Sequence, residues 1–410
     1  LDRVAEMSDA LEFDDPVPLS PMIDVRETVR QAGPEDAFVG PDALVEVRRV
    51  LTTVRRLHDY FQKRSENYPR LSAVTGRIEP LESLEDEIER VVDPDQARVR
   101  DDASDTLRSI RSRIRQKKDD LRRALDDELA NARSRGYAAE DRPTIRNGRM
   151  VIPVRVEAKR KVEGFVHDTS STGQTVYIEP ATCLDLNNEV RELEVQEKQE
   201  VERILREVTG RIRRHADAVR TNLDALGRID LIQAKARMAA DMEAVAPEVT
   251  ADGELHLREA VNPVLQLRLE QDDQDQEEAV HEVEEVVPLD IELGDEFDTL
   301  VVTGPNAGGK TVSMKTVGLL VWMVSCGLPI PVDEDRTRIS LFERLYVDIG
   351  DEQSIEKDLS TFSSHLANLR YMVERADERS LILIDEAGTG TDPSEGGALA
   401  QSILEHLTGL

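Results

Sequence analysis

The stretch from Leu300 to Thr311, LVVTGPNAGGKT, constrains this chain more than any other. Gly304 is followed by four residues and then by Gly309-Lys310-Thr311, the spacing of a P-loop for nucleoside triphosphates. Glycines let successive backbone N–H groups converge on phosphate oxygens, and the helix that follows adds the positive end of its dipole. Such a loop works between a strand and a helix, so it commits its surroundings to an α/β layer. Phe297–Thr303 begins polar and becomes a β-branched run, which predicts a buried parallel strand. Thr311–Met323 carries helix-type residues with apolar repeats. The expected nucleotide contacts are Gly304, Pro305, Asn306, Ala307, Gly308, Gly309, Lys310, Thr311 and Val312. Lys310 would reach the β- and γ-phosphates of ATP, and the Thr311 hydroxyl would ligate Mg2+.

A second stretch, SLILIDE from Ser380 to Glu386, reads as a buried strand ending in two carboxylates. Its carboxyl end would bring Asp385 near the P-loop, to hold Mg2+ through water. Glu386 would then orient or activate the attacking water.

A length of 410 residues predicts two or three domains. The net charge of -31 argues against a general nucleic-acid binder. The bases are mostly Arg and the acids are scattered along the chain, as on the carboxylate-rich surface of a salt-adapted, halophilic proteome. A local basic patch could therefore still meet nucleic acid. Cys183 and Cys326 have no paired spacing, and the histidines are dispersed, so neither a disulfide framework nor a zinc site is expected. No signal peptide is visible. The apolar region Val317–Val332 is interrupted by Gly318, Gly327, Pro329 and Pro331, which predicts a buried helix and turn rather than a membrane span. A cytoplasmic location without membrane contact is expected.

Leu1 to about Arg70 reads as helices with short breaks, with Leu44, Val45, Val47, Val50, Leu51, Val54, Leu57 and Phe61 at helical spacing. Two long amphipathic stretches follow, from about Asp95 to Arg135 and from about Leu186 to Leu226. Their apolar residues recur at three, four or seven among dense charges, as in a coiled-coil seam or a bundle core. Two such helices around a compact insert predict an antiparallel arm, about 60 Å long for forty residues each. The insert has a turn at Asn147-Gly148, a strand within Thr144–Val156, a polar turn (GFVHDTSSTGQ) and a second strand within Gly173–Pro180. It also carries Arg142, Arg146, Arg149, Arg155, Lys159, Arg160 and Lys161, a reversal of sign suited to phosphate backbones or, alternatively, to pairing with acidic helices nearby. Of these, Arg146, Arg149, Arg155, Lys159, Arg160 and Lys161 are the expected nucleic-acid contacts. Leu223–Met242 predicts a further helix, LHLREAVNPVLQL opens a new domain, and Gln271–Glu285 reads as an acidic, disordered loop.

Four segments together resemble one family. They are GPNAGGKTVSMKTVGLL, DIGDEQSIEKDLSTFSSHLANL, LILIDEAGTGTDPSEGGALA and the insert from Arg146 to Glu194. These are similar to the MutS family of ATPases, and within it to the MutS-two subfamily, over nearly the whole chain. The resemblance implies a multidomain α and α/β protein. A helical core (1–94), an ascending lever helix (95–140), a clamp-like β tip (141–185) and a returning lever helix with core helices (186–254) would precede an ABC-type P-loop ATPase domain (255–410). It places Ser360 and Thr361 in the family signature, facing the γ-phosphate in the opposite subunit, with Ser360 joining Lys310 and Glu386 in catalysis. Both precede the run SSHLANLRYMVERA, where N-cap residues stand. Gln353 falls in the loop linking nucleotide to the rest of the domain, and Asp392 in the loop that crosses the dimer interface.

Members are homodimers with composite ATP sites that bind branched DNA and restrain homologous recombination. Some act instead on stalled or collided ribosomes, which would make ribosomal RNA the partner. An architectural, chromosome-condensing ATPase is a third class, but DLSTFSSH lacks the Gly-Gly signature it needs. Several features depart from the family pattern. Val261-Asn262-Pro263 stands where Arg-His-Pro is usual, which puts the adenine-side contact in doubt, and Ala387 replaces a leucine. The start at Leu1 suggests a trimmed chain. The family's switch histidine and Smr nuclease domain would lie beyond Leu410, so an incomplete ATPase domain without nuclease activity is expected.

Overall fold

The computed structural model describes residues 1–19, 21, 23–275, 286–305, 308–350, 358–388 and 392–409. The chain is multidomain and mixes helix with sheet. In order, its helices and strands are α1 (Asp2–Phe13), α2 (Arg26–Gln31), α3 (Pro41–Gln62), α4 (Pro69–Thr75), α5 (Glu82–Val91), β1 (Val92–Asp93), β2 (Arg98–Val99) and α6 (Asp105–Ser134). Then come β3 (Thr144–Arg146), β4 (Arg149–Arg155), β5 (Gly164–Thr169), β6 (Thr175–Pro180), α7 (Leu184–Arg214), α8 (Ala216–Asp241), β7 (Glu248–Thr250), β8 (Leu255–Ala260), α9 (Pro263–Asp275) and β9 (Leu289–Leu293). The remainder is α10 (Lys310–Ser325), β10 (Arg338–Ser340), β11 (Arg344–Asp348), α11 (Asp358–Arg375), β12 (Ser380–Ile384) and α12 (Pro393–Thr408). Two compact units interleave along the sequence. One comprises Leu1–Val17, Tyr60–Thr75 and Leu226–Leu410, the other Pro18–Asp59 and Gly76–Ala225.

In the second unit, α6 and α7 form an antiparallel pair. Ser104 caps α6 by accepting from the Leu107 N–H and donates to Glu200 at 2.7 Å. Arg111–Glu197 (2.7 Å), Lys118–Glu194 (2.7 Å) and Lys117–Glu189 (2.5 Å) continue along the flanks, both lysines meeting earlier residues of α7 than Arg111 does. Between these flanks, Leu107, Ile110 and Ile114 of α6 and Leu193 of α7 are buried. The helices are shorter than their periodicity predicted. The segment 95–104 contains β2, paired to β1, instead of helix, and His215 separates α7 from α8, so 30 and 31 residues give an arm of about 45 Å.

The insert between α6 and α7 is a four-stranded antiparallel sheet in the order β3-β4-β6-β5. Asn147 and Gly148 both take positive φ (53° and 73°), the two-residue hairpin geometry that Asn-Gly favours. Ile152, Val154, Val176 and Ile178 pack on Leu121, Leu125 and Leu129 of α6. At roughly 1.5–3 kcal/mol per fully buried aliphatic side chain, this seam anchors the sheet to the arm. The stretch expected to be a polar turn contains β5, an edge strand paired to β6 through a bulge between Val166 and Asp168. Its residues lack apolar alternation because they are mostly exposed, so the pairing with β6 makes the strand. At Gly164 a side chain would collide with the backbone of Glu179, which holds β5 close to β6.

In the first unit, β7-β10-β8-β9 form a mixed sheet, and β11 pairs with β12 in parallel. Their core joins Leu255, Leu257 and Ala260 to Val317, Leu320, Val321 and Val324 of α10, with Leu381 and Leu383 of β12. Two expectations fail here. Phe297–Thr303 is not a strand: Leu300, Val301 and Val302 are 45%, 63% and 49% exposed. An apolar run becomes a buried strand only when a neighbour accepts its hydrogen bonds, and none of the described strands pairs with this one. Gln271–Asp275, expected in the acidic loop, continues α9 instead, while 276–285 lie outside the described residues. The region Val317–Val332 does form the end of α10 and a turn, and none of the described helices is long and apolar enough to cross a membrane.

Candidate functional site

The P-loop backbone turns sharply before α10. Gly304 and Gly309 have φ values of 149° and 78°, and Gly309 is the N-cap of α10. The Gly308 N–H donates to the Pro305 carbonyl at 3.0 Å, and the Ser313 N–H donates to the Gly309 carbonyl at 2.9 Å. Lys310 folds back over the loop, its Nζ donating to the Gly304 carbonyl at 2.5 Å. Gly304, Pro305, Gly308, Gly309, Lys310, Thr311 and Val312 thus gather at the amino end of α10. Asn306 and Ala307 lie outside the described residues, as does Gln353.

Asp385 follows β12, 74 residues from Thr311 in sequence, and the Thr311 hydroxyl donates to its Oδ2 at 2.6 Å. Asp385 is 8% exposed, and its N–H donates to the Asp348 carbonyl at 2.8 Å, extending the β11–β12 ladder by one residue. A hydroxyl beside a carboxylate is the hard-oxygen donor set that suits Mg2+. Glu386 has φ 52°, a left-handed conformation that a non-glycine residue seldom adopts. Gly388 follows at φ 88°, and a side chain there would collide with the backbone of Gly396 in α12. The acidic turn is therefore clamped between the end of β12 and the first turn of α12.

Residues from these two segments match MutS domain V, which covers 300–409. The chain is 42% identical over 384 residues to the endonuclease MutS2 of Pelotomaculum thermopropionicum, covering 94% of this chain and 46% of that protein. It is also 39% identical over 409 residues to the Acetivibrio thermocellus endonuclease MutS2, covering 98% of this chain and 49% of that one. The chain belongs to the MutS family, in its MutS2 branch. It spans about half the length of the curated relatives it matches.

Other residues singled out for this MutS2-branch chain fall as follows. The helix α11 begins at Asp358, so Ser360 and Thr361 lie inside its first turn rather than ahead of it. The Asp-Leu pair before them has already entered the helix, which moves the N-terminus earlier than the Ser-Thr pair suggested. Their side chains lie outside the described set. Asp392 is the N-cap of α12, accepting from the Ser394 N–H at 3.0 Å and from the Ser394 hydroxyl at 2.5 Å. The Ser394 hydroxyl and N–H together hold its carboxyl below the usual carboxylate range. Asn262, at the family departure, accepts from the N–H groups of Val264 and Leu265 as the cap of α9 and donates to Thr316 of α10 at 2.9 Å.

On the sheet at the end of the helix pair, the bases divide. Arg149 donates to Glu179, which is 1% exposed, at 2.6 Å and to Asn188 at 2.7 Å. Arg146 stacks on the Tyr177 ring at 4.2 Å and approaches Asp168 at 3.4 Å. Arg155 is exposed, with Nε donating to the Ala138 carbonyl, and Lys161 lies 5.2 Å from the Tyr137 ring centre. Lys159 and Arg160 are exposed in the turn before β5.

Sequence reasoning missed one cluster at the acidic strand end. Asp348, at the end of β11, is 5% exposed, and both its carboxylate oxygens are held by α11. His365 Nδ1 stands 2.9 Å from Oδ2, and Asn368 Nδ2 donates to Oδ1 at 3.0 Å. Asp348, His365, Asp385 and Glu386 line one depression with Leu369 and Gly388. The available signal was a carboxylate closing the run RLYVD, with a histidine and an asparagine three residues apart on the next helix.

Proposed function

We propose that this chain is the ATP-binding and ATP-hydrolysing part of a MutS2-type protein that acts on branched or structured DNA and restrains recombination. The observation that carries the ATPase reading is the 2.6 Å hydrogen bond from Thr311 to Asp385. It joins the P-loop hydroxyl to the acidic strand end across 74 residues, and this pair of oxygens is what a nucleotide-bound Mg2+ requires. The exposed Arg155, Lys159, Arg160 and Lys161 at the end of the α6–α7 pair support contact with a phosphate backbone. In this reading α6 and α7 act as a coiled-coil lever, the sheet between them is a clamp, and 255–410 form an ABC-type domain used as a homodimer.

The chain's own residues divide the chemistry. Lys310 would place its ammonium over the β- and γ-phosphate oxygens once it leaves the Gly304 carbonyl, and the amino end of α10, opened by Gly309, would meet the same anion. Thr311 and Asp385 would hold Mg2+, which when bound neutralises phosphate charge. Glu386, set apart from β12 by its left-handed turn, accepts a proton from the water that attacks the γ-phosphorus as the bond to ADP breaks. Ser360 and Thr361, in the first turn of α11, would face a γ-phosphate held by the partner subunit. Equilibrium binding of labelled ATP tests the assignment. Lys310→Ala should weaken binding by on the order of 100-fold or more, through the loss of charge-assisted contacts. Affinity equal to that of the unmutated chain would contradict it.

A further inference from the structure

A buried carboxylate fastens the acidic strand end to α11. Asp348 closes β11 beside β12, and its carbonyl accepts the Asp385 N–H at 2.8 Å. Both its carboxylate oxygens are bound by α11, by His365 at 2.9 Å and by Asn368 at 3.0 Å. On the same helix face Leu369 and Met372 are 5% and 3% exposed. An anion that is 5% exposed needs its donors, because a buried carboxylate left without them costs several kcal/mol. Leucine contacts alone would let α11 slide or turn. Two directional hydrogen bonds to one carboxylate fix its rotation and height against Asp385 and Glu386.

From this geometry we infer that His365 is a positioning residue for ATP hydrolysis: through Asp348 it fixes the first turn of α11 relative to the Asp385–Glu386 turn. The inference rests on the ATPase reading above and adds a residue to it. Ser360 and Thr361 lie on α11 one turn ahead of His365, and Asp385 is bonded to the residue that His365 holds. His365 is thus the link between the candidate signature turn and the acidic pair, and it stands in α11 rather than in the phosphate loop. Its loss should spare ATP binding and slow the cleavage of bound ATP.

Three variants test this in the full chain. His365→Leu removes the donor and keeps the bulk; His365→Asn offers an amide N–H near the position of Nδ1. The pair His365→Leu with Asp348→Asn removes the donor together with the charge it serves, and so guards against a folding defect. His365→Leu should bind ATP within about 3-fold of the unmutated chain while single-turnover hydrolysis falls on the order of 10–100-fold, as for loss of a hydrogen bond to a charged group. His365→Asn should recover most of that rate. Hydrogen exchange of the α11 amides after ATP addition gives a second readout that needs no turnover. ATP should protect them in the unmutated chain and in His365→Asn, but not in His365→Leu or the double variant. Unchanged hydrolysis in His365→Leu, asparagine no better than leucine, or equal protection in all variants would each overturn the role of His365. Failure of the ATPase reading is distinct: the unmutated chain itself would then neither bind nor cleave ATP, and exchange at α11 would not respond to ATP in any form.

Discussion

At the scale of single residues, the site depends on backbone that few side chains tolerate. Glu386 at φ 52° and Gly388 at φ 88° make the turn that carries the chain from β12 back toward α12. The contact between Gly388 and the Gly396 backbone leaves no room for a methyl group. Gly388→Ala should therefore lower stability by about 1–3 kcal/mol, read as a fall in melting temperature, and move Glu386 enough to depress hydrolysis. Melting and hydrolysis both equal to the unmutated chain would show that the turn relaxes without consequence. The turn before α10 was legible because its Gly, Lys and Thr stand at a fixed spacing. Asp348, His365 and Asn368 were not, since a carboxylate at a strand end and two polar residues on a helix acquire meaning only when the fold brings them within 3 Å.

At the scale of elements, apolar periodicity located the helices well and their ends poorly. All eight apolar residues named between Leu44 and Phe61 are buried. Ser104 fixes the true start of α6 at Asp105, about ten residues later than the stripe implied, because a cap and a β-pairing override periodicity. Strands were less legible. β5 has no alternation of its own and exists through β6, whereas Phe297–Thr303 has the β-branched run but pairs with none of the described strands. Both errors have one cause: a strand is defined by its neighbour, which a local pattern does not contain. The charge reversal near the tip was visible, but not that Arg149 serves the buried Glu179. Replacing Lys159, Arg160 and Lys161 together with Ala should weaken nucleic-acid binding and flatten its dependence on salt by up to about three units of logarithmic slope. Nucleotide affinity should not change, because these residues and the P-loop belong to different compact units. An unchanged salt slope would mean that these bases contact protein rather than phosphate.

At the scale of the whole molecule, the proposed ATP site requires two chains. Within one chain the P-loop and acidic turn are proposed to surround the phosphates from α10 and β12, and the first turn of α11 to serve the partner's nucleotide. Lys310→Ala and Ser360→Ala proteins should each be inactive alone. Mixed and allowed to exchange, they form dimers in which one site carries both defects and the other carries neither, so ATPase activity should partly return. Confirmed mixed dimers without recovery would contradict shared sites that turn over independently. The claim beneath all of this is that Lys310, Thr311, Asp385 and Glu386 form one hydrolytic site. The most direct measurement of it is the chemical identity of the nucleotide recovered after incubation with ATP. The unmutated chain should yield ADP, and Glu386→Gln, which keeps the phosphate and Mg2+ contacts but lacks the base, should yield intact ATP bound with similar affinity. Conversion to ADP at equal rates in both proteins, or no conversion in either, would contradict it.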